Sequence, residues 1–236
     1  MGVLQLCEAQ KRELLMAIME SARKAPKSGN VRNLVVFVHG YGADGNDLLS
    51  LGDPLAEHMP DAVFYAPNAP NKCQMSPMGY EWFPIPWIDG STEEAANVSM
   101  DQAAQMFDDW LSEIMETESV TAAQTFLVGF SQGTMMSLHV GPRRMEKLAG
   151  IIGFSGRLLR PSELNEVQTK PPILLIHGDA DEVVPPVSMP EAAEVLKAAE
   201  FEVFTHVSKG AGHGIAPDGL SLSLQFMIEM FAKAAK

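Results

Sequence analysis

The sequence predicts an α/β protein, with a mostly parallel central sheet and helices on both faces, and three observations support this. Short apolar runs, such as residues 34–38, alternate along the chain with longer segments of helical periodicity. One such run, residues 125–128, leads into Gly-Phe-Ser-Gln-Gly, and a segment with helix potential follows it. Polar residues that suit chemistry come directly after four of the strands, at the carboxyl edge of the predicted sheet.

The elements follow in order along the chain. Residues 8–24 carry apolar side chains at helical spacing, and we expect a helix there. Apolar runs predict buried strands at 34–38, 62–66, 125–128, 150–154 and 173–176, and a more polar run predicts a strand near the sheet edge at 201–207. Helices are expected from Leu48, after the capping-box spacing at 91–94, at 134–140, at 191–199, and at the C-terminal end. We expect one domain over residues 1–236, with a segment at 1–30 whose role stays open.

Residues 68–90 interrupt this alternation. The segment has no periodicity and many prolines, and it concentrates methionine and aromatic residues. A long irregular segment rich in apolar side chains is unusual in a compact domain and is often functional. We expect it to form a wall of a substrate pocket, with Met75 and Trp87 as candidates from composition. The alternative is that these side chains only pack the loop onto the domain.

Composition limits the classes of partner. The 236 residues include 17 Lys and Arg against 30 Asp and Glu, which gives a formal net charge of -13. Such a surface repels phosphate backbones, so we expect no nucleic-acid partner. Two cysteines argue against a disulfide framework. The sequence contains no signal-peptide pattern and no apolar stretch long enough for stable membrane insertion, and so predicts a cytoplasmic protein.

The Gly-Phe-Ser-Gln-Gly stretch centres on Ser131 and predicts a nucleophile elbow. A serine at a tight strand-to-helix turn holds unusual backbone angles, and Gly129 and Gly133 remove side chains that would collide there. The N-terminus of the following helix directs free N–H groups toward the space above the serine. Ser155 lies in a similar stretch, but Arg157 occupies the position of the second glycine, so we interpret Ser155 as a strand-end serine.

A serine nucleophile needs a base, and the base needs a carboxylate. Of the six histidines, His213 alone lies in a glycine-rich loop after the final strand, where its ring can reach the elbow. Asp179 and Asp181 both follow the strand at 173–176 and compete for the acid. The oxyanion requires two N–H donors, which we expect from the backbone of Gln132 and from the loop after 34–38, with Tyr41 best placed.

Five stretches together give the chain a wider resemblance: 39–45, Trp82-Phe83, 129–133, 177–185 and 212–214. In that order they resemble the phospholipase/carboxylesterase family of α/β-hydrolases, which includes acyl-protein thioesterases and small bacterial carboxylesterases. The resemblance implies the α/β-hydrolase fold and a triad of Ser131, Asp181 and His213. It also implies an oxyanion hole made by the Tyr41 and Gln132 amides, and it adds Trp82 and Phe83 to the pocket candidates.

The function expected from these residues is hydrolysis of small-molecule carboxylic esters, thioesters or lysophospholipids through an acyl-enzyme, without metal or cofactor. Two alternatives remain open. One is a non-catalytic ligand-binding module on a hydrolase scaffold, which usually comes with loss of a triad member. The other is a peptidase or a dienelactone-type hydrolase, although the latter would more naturally carry a cysteine at the elbow. A homodimer is compatible with the sequence, which does not determine the oligomeric state.

Overall fold

The computed structural model describes residues 8–234, and a seven-stranded sheet forms its centre. The strands lie in the order β1-β3-β2-β6-β7-β8-β9, and all neighbours are parallel except β1, which pairs antiparallel with β3 at one edge. The sheet strands are β1 (Ser21–Lys24), β2 (Asn33–Val38), β3 (Ala62–Pro67), β6 (Thr125–Phe130), β7 (Gly150–Phe154), β8 (Ile173–Gly178) and β9 (Val203–Ser208). A separate two-stranded hairpin contains β4 (Asn71–Lys72) and β5 (Tyr80–Glu81).

Helices cover the sheet on both sides. They are α1 (Glu8–Ile18), α2 (Gly45–Leu49), α3 (Gly52–Ala56), α4 (Pro86–Asp89), α5 (Glu93–Glu118), α6 (Gln132–Arg143), α7 (Ser188–Ala198) and α8 (Pro217–Ala234). Alternate residues of the central strands point to opposite faces, so Val36 packs under α5 and α6, whereas Val35 and Phe37 pack on the side of α3 and α8. The two apolar layers explain why the strands are almost continuously hydrophobic in sequence.

The chain order creates a switch point between β2 and β6. From β2 the chain moves outward to β3, whereas from β6 it moves in the opposite direction through β7, β8 and β9. The loops that leave β2 and β6 therefore separate at the carboxyl edge and leave a crevice between them. In open α/β sheets, ligands bind in such a crevice.

The α/β class and the mostly parallel sheet with helices on both faces are confirmed. The predicted buried strands are observed within two residues at each end, and β9 lies at the sheet edge as expected. The helix predicted over residues 8–24 is wrong in its second half, because Ser21–Lys24 forms the edge strand β1. Pairing with β3, from Ser21 opposite Pro67 to Lys24 opposite Phe64, stabilises this strand despite its polar sequence.

Two predicted helix starts are also shifted. The helix expected from Leu48 begins at Gly45, and Asp44 caps it by accepting a hydrogen bond from the Asn46 N–H at 2.7 Å. The cap of α5 is Thr92, whose hydroxyl accepts from the Ala95 N–H at 3.1 Å. In both cases the side chain that accepts from an N–H of the first helical turn marks where the helix begins.

Candidate active site

Ser131 stands at the end of β6 and caps α6 with an unusual backbone. Its φ of 53° and ψ of -115° lie outside the regions that non-glycine residues ordinarily adopt. The Ser131 N–H donates to the carbonyl oxygen of Phe154 at 2.8 Å, which ties the turn to the neighbouring strand β7. A strained backbone persists only where surrounding contacts hold it, and such residues cluster at active sites. The serine predicted as the elbow nucleophile thus has the corresponding conformation.

Close backbone approaches surround this turn. A Cβ placed on Gly133 would lie 1.8 Å from the carbonyl oxygen of Val38, so α6 can start against β2 only with glycine there. A Cβ on Gly40 would lie 3.3 Å from the Cβ of Ser131. The loop after β2 therefore runs directly beside the serine, and its backbone N–H groups come within the crevice.

His213 and Asp181 form a direct hydrogen bond. Nδ1 of His213 lies 2.8 Å from Oδ2 of Asp181. The imidazole packs against Phe130, the residue before Ser131, with ring centroids 4.9 Å apart. The Asp181 side chain is fully buried, whereas the His213 side chain is 19% exposed. Because the carboxylate occupies Nδ1, it favours the tautomer in which Nε2 can accept a proton.

Asp181 is held as a carboxylate. Burial acts to raise its pKa, but hydrogen bonds from His213 and from the N–H groups of Val184 and Val183 outweigh burial, and the pKa of Asp181 lies below its ordinary value. Both N–H groups donate to Oδ1 at 2.9 Å. The oxygen that faces His213 is Oδ2, so the two ends of the carboxylate have different partners.

Asp179, the other candidate acid, faces away from His213. Its Oδ1 accepts from the Gly210 N–H at 2.6 Å, and its Oδ2 lies 3.3 Å from Nζ of Lys209. It therefore braces the loop that carries His213 from the outside.

The two backbone N–H groups predicted to bind the oxyanion belong to Tyr41 and Gln132. In the loop after β2, the N–H of Gly42 donates to Tyr80 and the N–H of Ala43 to Gly40. Among the residues that the structure describes, no acceptor is found for the Tyr41 N–H. Gln132 is the first residue of α6, where an N–H has no intrahelical acceptor. Neither amide is thus committed to an acceptor within the part of the chain that the structure describes.

The Gln132 side chain forms a clamp that sequence reasoning missed. Its Oε1 accepts from the Trp82 N–H at 2.9 Å, and its Nε2 donates to the Phe83 carbonyl at 2.7 Å. The Trp82 indole N–H in turn donates to the carbonyl oxygen of His39 at 3.0 Å. These bonds fix residues 82–83 between the elbow and the loop after β2. A long-range amide pairing of this kind leaves no signal in local sequence patterns.

The expectation that Trp82 lines a pocket needs correction. Its side chain is fully buried in the core beneath the loop, where the indole packs edge-on against Phe107 with centroids 5.1 Å apart. It supports the loop after β2 and has no free face for a substrate. Phe83 is 8% exposed and belongs to the same core cluster.

In contrast to Trp82 and Phe83, Trp87 and Met75 are exposed, with 69% and 61% of their surfaces accessible to solvent. Trp87 belongs to α4, and the guanidinium carbon of Arg157 lies 5.6 Å from its ring centroid. At the end of the same helix, Oδ2 of Asp89 accepts from the Tyr41 hydroxyl at 3.3 Å. Tyr41 follows β2 and Arg157 follows β7, the two strands on either side of β6. Helix α4 therefore bridges the carboxyl edge of the sheet at the strand that ends in Ser131.

Other structural features bear on partners. Within residues 8–234, no group of three or more His, Cys, Asp or Glu side chains is arranged to hold a metal ion. The helices described by the structure include none with the length and apolar character of a membrane span. Cys73 is a buried free thiol, and Cys7 lies outside the described residues.

Comparison with known proteins places these features in context. The sequence profile of a family described as Phospholipase/Carboxylesterase matches residues 19–230. The crystal structure of esterase PE8 is similar at 40% identity and a TM-score of 0.85, covering 90% of this chain and 99% of that one. Acyl-protein thioesterase 1 of Neurospora crassa is 30% identical over 85% of this chain and 88% of its own length. Esterase YpfH of Escherichia coli is 27% identical over 84% and 81%, respectively.

Proposed function

Because the chain belongs to the phospholipase/carboxylesterase family and is a hydrolase of the carboxylesterase and acyl-protein thioesterase type, we propose that it cleaves esters and thioesters through an acyl-enzyme on Ser131. Asp181 and His213 complete the triad in this proposal. The observation that carries it is the 2.8 Å bond from His213 to a buried Asp181, beside a serine in a strained elbow. The name of the Neurospora crassa relative is the reason to include thioesters.

The proposed reaction begins with attack of the Ser131 hydroxyl on the carbonyl carbon of the substrate. Nε2 of His213 takes the hydroxyl proton, while Asp181 stabilises the imidazolium through Nδ1. The carbonyl electrons move to oxygen, and the N–H groups of Tyr41 and Gln132 bind this oxyanion. Collapse of the intermediate expels the alcohol or thiol, which receives the proton from His213. Water then repeats the sequence and releases the acid.

The acyl pocket in this proposal is bounded by α4. In this proposal, Trp87 supplies an exposed aromatic face and Met75 an exposed, adaptable apolar side chain. Phe83 is placed deeper, where its remaining exposed surface contacts the inner part of the acyl chain.

A fluorophosphonate probe tests the nucleophile. The protein should be labelled on Ser131 and should hydrolyse an activated short-chain ester, and Ser131→Ala should lose both, with turnover reduced by about 10⁴ to 10⁶. Ser155→Ala is the matched control, since Ser155 is a second buried strand-end serine with a positive φ of 47°. Labelling that survives Ser131→Ala would refute the proposal, and a wild-type protein that binds esters without turnover would indicate a binding module.

A further inference from the structure

We infer that His177 is a positioning residue for the acid, and that its Nε2–H, bound to the Val184 carbonyl, fixes the loop that holds Asp181 in the orientation that His213 requires. The inference rests on the proposed function, because it gives His177 a role within the triad. His177 lies in β8, its side chain is only 2% exposed, and the proposed reaction steps do not use it. A buried, polar side chain of this kind should have a specific partner.

The surroundings of His177 determine which of its nitrogens carries a proton. Nε2 lies 3.0 Å from the carbonyl oxygen of Val184 and 3.2 Å from Oδ2 of Asp181. Both atoms accept hydrogen bonds when Asp181 is ionised, so Nε2 must be the donor. The N–H of Val184 donates to Oδ1 of the same carboxylate at 2.9 Å. His177 is therefore part of a closed set of bonds that joins the end of β8 to the acid loop.

The two oxygens of the Asp181 carboxylate have different partners. Oδ1 receives the N–H groups of Val183 and Val184, and Oδ2 is bonded to Nδ1 of His213, with Nε2 of His177 3.2 Å away. Because Val184 binds His177 through its carbonyl and Asp181 through its N–H, His177 fixes the acid loop from the side of β8. Without His177, this attachment is lost, and the carboxylate can lose its alignment with Nδ1 of His213. Misplacement of this kind costs rate even when every reacting group is present.

His177 is the side chain that faces Oδ2 of Asp181 from β8. The other charged groups nearby do not take this place. Arg157 lines a small cavity with His177 behind the elbow, and Asp179 is bound to the Gly210 N–H and to Lys209.

Three variants of the full chain separate positioning from packing. His177→Leu removes the donor while filling the site, and His177→Gln restores an amide N–H near the position of Nε2. His206→Gln is the matched control, because His206 is also paired with an aspartate, Asp218 at 2.7 Å, but lies on the partly exposed strand β9. The measurement is kcat and KM for an activated short-chain ester as a function of pH.

We expect His177→Leu to lower kcat by about ten- to a hundredfold with little change in KM. His177→Gln should recover most of the lost kcat, and His206→Gln should match the wild type. An unchanged kcat in folded His177→Leu would overturn the inference. Failure of His177→Gln to recover in folded protein would also overturn it, since packing would then be the cause.

A second measurement does not depend on turnover or on the variants folding. In wild-type protein with ¹⁵N-labelled histidine, proton NMR should show His177 protonated at Nε2 and unprotonated at Nδ1, and His213 with a low-field Nδ1 proton. An unprotonated Nε2 on His177 would overturn the inference directly. If the wild type neither hydrolyses esters nor reacts with fluorophosphonate, the proposed function fails, and the NMR result still decides whether His177 donates to the acid loop.

Discussion

Asp179 and Asp181 stand two residues apart on the same loop, yet their carboxylates have different partners. Asp181 is buried against His213, whereas Asp179 lies at the surface with Gly210 and Lys209. We predict that Asp181→Asn lowers kcat/KM by about 10⁴, because the amide no longer holds the His213 tautomer or stabilises the imidazolium. Asp179→Asn should stay within about tenfold of wild type, since only the brace of the loop changes.

The assay for this pair is ester hydrolysis by purified variants whose folding is checked by circular dichroism. Both variants replace an aspartate by an asparagine, so the comparison tests only the position of the carboxylate. A larger loss in Asp179→Asn than in Asp181→Asn would contradict the triad and would move the acid to Asp179.

For single residues, the sequence predicted which polar side chains follow strands at the same edge of the sheet, but not which aromatic side chains are buried. The serine, the histidine and the two aspartates each follow a strand, and strand ends converge at one edge, so their neighbourhood was predictable. The position of Trp82 was not. Composition could not distinguish a tryptophan on a pocket wall from one beneath the loop, because the difference depends on partners such as Gln132 and Phe107, distant in sequence.

Among the strands of the seven-stranded sheet, β1 was the one that sequence reasoning missed. Ser-Ala-Arg-Lys contains no strand former, and the apolar spacing before it favours a helix. The strand exists because β3 offers it a partner, and because Arg23 reaches Glu118 at the end of α5 with Nε 2.7 Å from Oε1. The Tyr65 hydroxyl of β3 donates to the same oxygen at 2.6 Å. Tertiary contacts thus override the local preference.

This cluster predicts a pH-dependent contribution to stability. The hydrogen bond from Arg23 lowers the pKa of Glu118, and burial only partly opposes it. A lowered folded-state pKa stabilises the protein above the unfolded value of 4.5, and that stability is lost as the pH falls through the lower folded value. We predict that Glu118→Gln loses about 1–2 kcal/mol of unfolding free energy at pH 7, and that its deficit shrinks as the pH falls below 4.5.

Urea unfolding at a series of pH values measures this difference. Glu200→Gln is the control, because Glu200 also forms an ion pair, with Lys170 at 2.7 Å, but is highly exposed. We expect no measurable change there. A Glu118→Gln deficit that is constant from pH 7 to pH 3 would mean that the carboxylate charge plays no part in holding β1.

The prediction about the acyl pocket concerns Trp87 in helix α4. Trp87 is exposed at the bridge between Tyr41 and Arg157, so its removal should alter the contact with the acyl chain without disturbing the core. We predict that Trp87→Ala changes the relative kcat/KM of short and medium acyl esters by about tenfold. Labelling by a small fluorophosphonate should be unaffected, because the triad does not contact this side chain in the proposal.

The control is Met145→Ala, which removes an exposed apolar side chain from the loop after α6. An ester series from two to ten carbons, assayed with both variants, makes the comparison. A uniform decrease for all esters in Trp87→Ala would contradict a role in acyl selectivity and would leave the tryptophan as part of the surface of α4.

For the molecule as a whole, the fold followed from two simple sequence features. Strands buried on both faces are apolar throughout, and crossover helices separate them, so both signals are strong and local. Strand order and the antiparallel edge are different, because they depend on which surfaces fit together in three dimensions. Neither the strand order nor the antiparallel edge was predicted from the sequence.

The net charge of -13 acts over the whole surface. We predict that raising the ionic strength from about 0.01 to 0.15 M increases kcat/KM for an ester bearing a free carboxylate, relative to a neutral ester of equal size, by about two- to fivefold. The reason is that the Debye length falls from about 30 to 8 Å and screens the repulsion. The neutral ester is the internal control. A ratio that falls with salt would show that a local cation, with Arg157 the nearest candidate, dominates the field at the crevice.

The double attachment of residues 82–90 has a consequence for engineering. At one end, the Gln132 side chain grips the backbone of Trp82 and Phe83, and at the other, Asp89 accepts hydrogen bonds from Tyr41 and Ile85. Of residues 84–88, Trp87 and Ile88 are exposed, Pro84 and Pro86 are half-buried, and Ile85 is buried. The stretch thus has fixed ends, and we expect that loops of other sequence can be grafted between them without disturbing the turn at Ser131.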